Sequence, residues 1–196
     1  MSFLLGLTGS IGMGKSTTAA MFVEQGCALW DADAAVHRLY DTGGAAVAPL
    51  GALFPDAIEG NAVSRPRLKE IIAGDPSALA QIEGIVHPLV SADRRAFIKA
   101  AETDIIVLDI PLLFEGGGET GFDGTVVVSA PEAVQRERVL ARGTMTEAQF
   151  QMIRARQMPD AEKRQRATWV VETDTMDHAR AQVAAIVAEI RGKTHA

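Results

Sequence analysis

The chain has 196 residues, 47% of them hydrophobic and 22% charged, with a formal net charge of −6. That size supports one domain with a real core, with room for small inserted subdomains. The acidic balance argues against a general nucleic-acid binder, which needs a basic face, and the single cysteine, Cys27, excludes an internal disulfide and a Cys-rich metal site.

Residues 3–7 are a short apolar run that predicts a buried strand. Gly9 to Ser16 then fit the phosphate-binding pattern G-x-x-x-x-G-K-[ST], and helix-competent sequence follows from Ser16 to Gln25. Glycines at 9, 12 and 14 allow the backbone to come close to a ligand, so that the N–H groups of Gly9, Ser10, Ile11, Gly12, Met13, Gly14 and the Lys15-Ser16-Thr17 helix start converge on phosphate oxygens. Lys15 would reach the β- and γ-phosphates of ATP and the Ser16 hydroxyl would hold Mg²⁺. The bland alternative, a glycine-rich turn with an exposed lysine, lacks a reason for the strand before and the helix after.

Gly26 stops the first helix, and Cys27 to Trp30 predict a second buried strand, with Asp31-Ala32-Asp33 at its carboxyl end. Ligands of parallel α/β sheets bind at such ends, so Asp33 is either a functional carboxylate or the N-cap of a helix from Ala34 to Tyr40. Residues 41–102 read as helical and strand-poor. Ser64 is the expected cap of one helix, and Asp75-Pro76-Ser77 open another that His87-Pro88 should interrupt or kink. Ile105 to Ile110 are the clearest strand, and Asp109 at its end suits a carboxylate supporting Mg²⁺. Thr125 to Val128 predict a fourth strand, followed by a helix carrying Arg136, Arg138 and Arg142. Thr146 to Gln149 have capping-box form for a helix carrying Arg154 and Arg156. Most of these arginines read as a solvated face with pairs such as Glu132–Arg136, and Arg142, beside the turn, as the one aimed at a triphosphate. A fifth strand at 169–171 and a last helix capped by Asp174 or Thr175 and stopped by Gly192 complete the order. The expected fold is α/β: a three-layer phosphate-loop NTPase of the nucleoside-monophosphate-kinase-like type, with a five-stranded parallel sheet, a helical insertion at about 41–102 and a lid at about 138–165.

The residues that carry a family resemblance are Leu7 to Thr17, Asp31-Ala32-Asp33, His87-Pro88-Leu89-Val90, Asp109 to Glu115, and Arg142-Gly143 followed by a helix with Arg154 and Gln157. Together they resemble the dephospho-CoA kinase family. The resemblance implies transfer of the ATP γ-phosphoryl to the 3′-hydroxyl of dephospho-CoA, with ATP and Mg²⁺ required. It implies Asp33, Lys15 and Arg142 as the catalytic set, acceptor contacts from Thr8, Asp31, Asp33, His87 and Leu112, and metal support from Ser16 and, directly or indirectly, Asp109. The stretch Val171-Glu172-Thr173-Asp174-Thr175 departs from the asparagine that many members carry near adenine, and the only asparagine here is Asn61.

Two other readings stay open on the sequence: a kinase of another small metabolite, such as a nucleoside monophosphate, and a nucleotide-dependent switch. A guanine-reading Asn-Lys-x-Asp is absent, since Ala62 follows Asn61. With no basic leader before a long apolar run and no apolar stretch of about 18 residues, the expectation is a cytoplasmic protein working on small molecules without membrane or nucleic acid. A monomer is expected, with weak homo-oligomerisation left open.

Overall fold

A computed structural model describes residues 2–194. Five strands form one sheet: β1 (Phe3–Thr8), β2 (Ala28–Asp31), β5 (Ile105–Asp109), β6 (Gly124–Ser129) and β7 (Trp169–Glu172), in the spatial order β2-β5-β1-β6-β7. β1 pairs in parallel with β5, Leu5 opposite Val107, and with β6, Leu7 opposite Val126; β6 pairs in parallel with β7. Every residue of β5 and β6 is buried, which is why their centres, Ile105 to Leu108 and Val126 to Val128, read as continuous apolar runs rather than alternating ones. The helices are α1 (Lys15–Glu24), α2 (Ala32–Tyr40), α3 (Val47–Leu53), α4 (Arg65–Gly74), α5 (Ala78–Ala100), α6 (Glu132–Ala141), α7 (Glu147–Arg156), α8 (Asp160–Arg166) and α9 (Met176–Thr194), and β3 (Ile58–Glu59) with β4 (Ala62–Val63) make a small hairpin. Among the described residues no helix is long and apolar enough to cross a membrane.

The chain packs as two compact units, one running to Leu29 and resuming at Ala101, the other Trp30–Ala100. In the first, Leu5, Leu7, Val107, Val126 and Val171 from the sheet meet Phe22 of α1 and Val183, Ile186 and Ile190 of α9. Cys27 lies in this core, with burial as the main cause pushing its thiol up to about 11, partly offset by Arg191. Arg191 Nε donates to Asp104 Oδ2 (2.6 Å) and its Nη2 to the Gln25 carbonyl (3.1 Å), tying α9 to the end of α1. α9 continues past Gly192 to Thr194 instead of stopping there, and Thr175 Oγ1 accepts from the His178 N–H at its start.

The second unit has its own core, with Leu50, Ala57, Leu68, Ile82 and Val86 at its centre. It is not strand-free, since β3 and β4 turn through Gly60 and Asn61, both at positive φ. Asp31, not Asp33, caps α2: its Oδ1 accepts from the Ala34 N–H at 2.7 Å, and Asp33 falls in the first turn. Ser64 stands at the N-cap position of α4 without a side-chain cap bond, because Pro66 offers no N–H there and the hydroxyl bonds Glu59 instead. α5 runs unbroken for 23 residues with Pro88 inside it. The donor missing at Pro88 is tolerated because the helix is held on both sides, by Ile82 and Val86 in the core and by Asp93, which accepts from Trp30 Nε1 and Arg38 Nη2 at 2.7 Å each.

Candidate active site

The turn from β1 to α1 carries the loop. Gly12 and Gly14 have φ of 78° and 93°, a region that side chains rarely enter. At Gly12 space forbids a side chain as well, since a Cβ would lie 2.5 Å from Val139 Cγ2 of α6. α1 starts at Lys15 with neither a side-chain cap nor an acidic residue in its first turn, so its N–H groups and dipole are left for an anion. Lys15 Nζ ion-pairs with the buried carboxylate of Asp109 at the end of β5. Ser16 and Thr17 are exposed, and Ser10 and Met13 are buried.

The loop is braced from outside. Gln135 Nε2 donates to the Ile11 carbonyl (2.8 Å), and the Ile11 N–H donates to Gln157 Oε1 (3.2 Å). Thr173 Oγ1 donates to the Met13 carbonyl (2.7 Å), and Arg138 holds Thr173 by its Oγ1 and its carbonyl. The Ala130 N–H points at Met13 Sδ (3.1 Å). Thr173, in the stretch that departs from the family's asparagine, is thus a support for the loop. Gln135 was not singled out from the sequence, and Arg138, read there with the solvated arginines, instead holds Thr173. Their signal was their helical register: they fall three residues apart, on one face of α6.

α6 and α7 pair their charges across the helix–helix gap. Arg136 meets Glu147 (2.8 Å) and Arg154 meets Glu132, replacing the expected Glu132–Arg136 pair within α6. The hydrogen bond from Arg154 is the main cause holding the Glu132 carboxyl below its ordinary range. The capping box of Thr146 and Gln149 forms as the sequence predicts. Arg142 stands at the C-cap of α6, exposed, its side chain without a hydrogen bond or ion pair among the described residues. Behind α7, the Met158 N–H donates to Glu115 Oε1 (2.9 Å), and the same carboxylate oxygen lies 2.8 Å from Nζ of Lys163, whose side chain is fully buried. Arg166 at the end of α8 pairs with Glu119 and stacks over Phe114. A cavity of about 870 Å³ opens beside the loop, walled by Ser10, Met13, Pro131, Arg154, Asp160 and Asp174 among others.

Of the expected acceptor residues, Thr8 is fully buried and its hydroxyl donates to the Pro111 carbonyl (3.1 Å). Leu112 is 51% exposed. Asp31, Asp33 and His87 belong to the 30–100 unit; Asp33 and His87 are exposed on α2 and α5. Among the described residues no group of three or more His, Cys, Asp or Glu is arranged to hold a metal. The oxygens at the loop are the exposed Ser16 hydroxyl and the Asp109 carboxylate, the kind of donors that fit Mg²⁺, which is usually held by one or two protein oxygens and substrate phosphates rather than by an all-protein cage.

A dephospho-CoA kinase family model matches residues 3–178. The chain is 66% identical to a dephospho-CoA kinase of Ruegeria pomeroyi over 100% of both chains, and 61% identical to one of Cereibacter sphaeroides over 96% of each. The crystal structure of TT1252 from Thermus thermophilus superposes with a TM-score of 0.84 at 35% identity, covering 96% of this chain and 97% of that one. The dephospho-CoA kinase from Campylobacter jejuni shares the fold, with a TM-score of 0.67 at 20% identity over 96% and 97% of the two chains. A phosphate loop opening α1, a lysine set on the aspartate that ends β5, and a sequence matched along almost its whole length lead to one assignment: the chain belongs to the dephospho-CoA kinase family.

Proposed function

We propose that the protein transfers the γ-phosphoryl of ATP to the 3′-hydroxyl of dephospho-CoA, giving coenzyme A and ADP. The observation that carries this reading is the braced phosphate loop with Lys15 poised at Asp109, in a chain that belongs to this family. Phosphoryl transfer asks for in-line positioning and for cations around the moving charge more than for covalent help. Lys15 exchanges Asp109 for the phosphates and stabilises charge as the γ-phosphoryl leaves. Arg142, free at the α6–α7 turn, supplies a second cation when the lid closes, and closure keeps water from the phosphoryl group. The cavity beside the loop takes the base and ribose of ATP. Asp33 accepts the hydroxyl proton: its carboxylate is exposed and carries no hydrogen bond among the described residues, whereas that of Asp31 is spent on capping α2. Mg²⁺, held by Ser16 with Asp109 in support, would neutralise phosphate charge.

The test is a coupled ADP-release assay with dephospho-CoA, a panel of nucleoside monophosphates and no acceptor. Turnover with dephospho-CoA at least a hundredfold above every other arm is expected. Equal turnover on a nucleoside monophosphate, or ADP release independent of acceptor, overturns the assignment.

A further inference from the structure

Two carbonyls of the phosphate loop are pinned by side chains from elsewhere in the fold. The Ile11 carbonyl accepts from Gln135 and the Met13 carbonyl from Thr173. Both partners are deeply buried, Gln135 at 2% and Thr173 at 7% exposure. Each carbonyl shares a peptide plane with the next residue's N–H, and those next residues are Gly12 and Gly14. The chain has no cis peptide among its described residues, so each N–H points opposite to its pinned carbonyl. The Gly12 and Gly14 N–H groups therefore point away from α6 and from Thr173. Neither finds an acceptor among the described residues, while the Met13 N–H between them is used within the loop, on the Ser10 carbonyl (3.2 Å).

Both pinned planes are followed by a glycine at positive φ, where the backbone meets the least resistance to rotating a peptide. A rotated plane would replace an N–H donor with a carbonyl, and turn attraction for an anion into repulsion at that point of the loop. Resting on the assignment of ATP as the phosphoryl donor, we propose that Gln135 and Thr173 are positioning residues for phosphoryl transfer. They hold the 11–12 and 13–14 peptide planes so that the Gly12 and Gly14 N–H groups face the phosphates, and neither side chain touches the nucleotide. Arg138 fixes Thr173 from behind, and Gln157 steadies the Ile11 N–H on the adjoining plane. A loop whose donors are set in advance spends no binding energy arranging them.

The experiment compares Thr173→Val, Thr173→Ser and Gln135→Met with wild type, reading Mg·ATP affinity by calorimetry, steady-state kinetics for each substrate, melting temperature, and the Gly12 and Gly14 amide resonances on titration with ATP. Valine copies the shape of threonine without the hydroxyl, and serine keeps the hydroxyl. We expect Thr173→Val and Gln135→Met to lower kcat/KM for ATP about ten- to a hundredfold while KM for dephospho-CoA stays within twofold. Thr173→Ser should restore ATP-side kinetics to within threefold of wild type, and the ATP-induced shift at Gly14 should shrink in the valine variant alone. Gln135→Met tests the other plane should Thr173→Val fail to fold. ATP affinity and turnover within twofold of wild type in the folded variants, or a defect in Thr173→Val that serine does not relieve, overturns the proposal. A wild-type protein that binds ATP but ignores dephospho-CoA would refute the acceptor assignment alone, leaving the ATP-affinity arm to decide this one.

Discussion

Nζ of Lys163 is buried with its whole side chain and lies 2.8 Å from Oε1 of Glu115, which also receives the Met158 N–H. Burial by itself would raise the Glu115 carboxyl, but the Lys163 ammonium beside it and the Met158 N–H outweigh it and hold the group below its ordinary 4.5. A carboxyl depressed in the folded state contributes stability that is present above its unfolded value and is lost as pH falls through the folded one. Glu115→Gln leaves a buried ammonium without its counter-charge and should destabilise the protein by about 3–5 kcal/mol at neutral pH. Adding Lys163→Met should recover most of that loss, because the neutral pair fills similar space. Urea unfolding below pH 4.5 should show wild type losing more stability than the double variant. Equal acid sensitivity of the two would assign the acid loss to other carboxylates.

The proposed roles of the ion-paired Lys15 and Asp109 are tested separately. Lys15→Ala should lower kcat by at least two orders of magnitude, about 3 kcal/mol of barrier, since its charge matters most as the γ-phosphoryl departs. Asp109→Asn should raise the Mg²⁺ concentration for half-maximal rate several-fold at saturating ATP. An unchanged Mg²⁺ dependence removes Asp109 from metal support.

Asp31 caps α2, and Asp33 is the residue proposed to accept the hydroxyl proton. Asp31→Ala deletes the bond to the Ala34 N–H and should cost about 1 kcal/mol of stability by chemical denaturation. Asp33→Asn should melt like wild type, bind ATP normally and lose roughly two to four orders of magnitude in kcat, because an amide cannot accept the hydroxyl proton. Wild-type turnover in Asp33→Asn rules out its role as base; weakened ATP binding would point to the Mg²⁺ shell instead.

Arg142→Lys keeps the charge and loses the planar fork. An exposed residue with no partner among the described residues has little to lose in the resting fold, so the melting temperature should hold while kcat falls at least tenfold. A large drop in melting with normal activity per folded molecule would make Arg142 structural.

What the sequence discloses depends on how local the cause is. β5 and β6 are legible because both faces are covered and their centres, Ile105 to Leu108 and Val126 to Val128, are apolar throughout. The helix from Thr146 is legible because its cap and its partner lie three residues apart. α8 is not, since Asp-Ala-Glu-Lys-Arg-Gln-Arg has no apolar stripe and is anchored by a lysine that composition would place in water. The cap of α2 is Asp31 rather than Asp33, the aspartate the sequence offers as either cap or functional carboxylate, because either satisfies the local rule and only the backbone turn decides between them. Lys15 and the glycines of the loop announce themselves. Their supports do not, because Thr173 meets Met13 across 160 positions of chain and Gln135 meets Ile11 across 124.

Cys27 gives the molecule a clock of its own. With the thiol pushed up to about 11, only roughly one molecule in a thousand carries a thiolate at pH 8, and the side chain is walled in besides. A disulfide reagent therefore reacts at the frequency with which the ends of α1 and α9 part. At high reagent concentration the labelling rate should plateau at the opening rate, and Arg191→Ala, which unties α9 from Asp104 and Gln25, should raise the plateau. The same single sulfur that staples nothing then counts, one opening at a time, how long each copy of the protein stays whole.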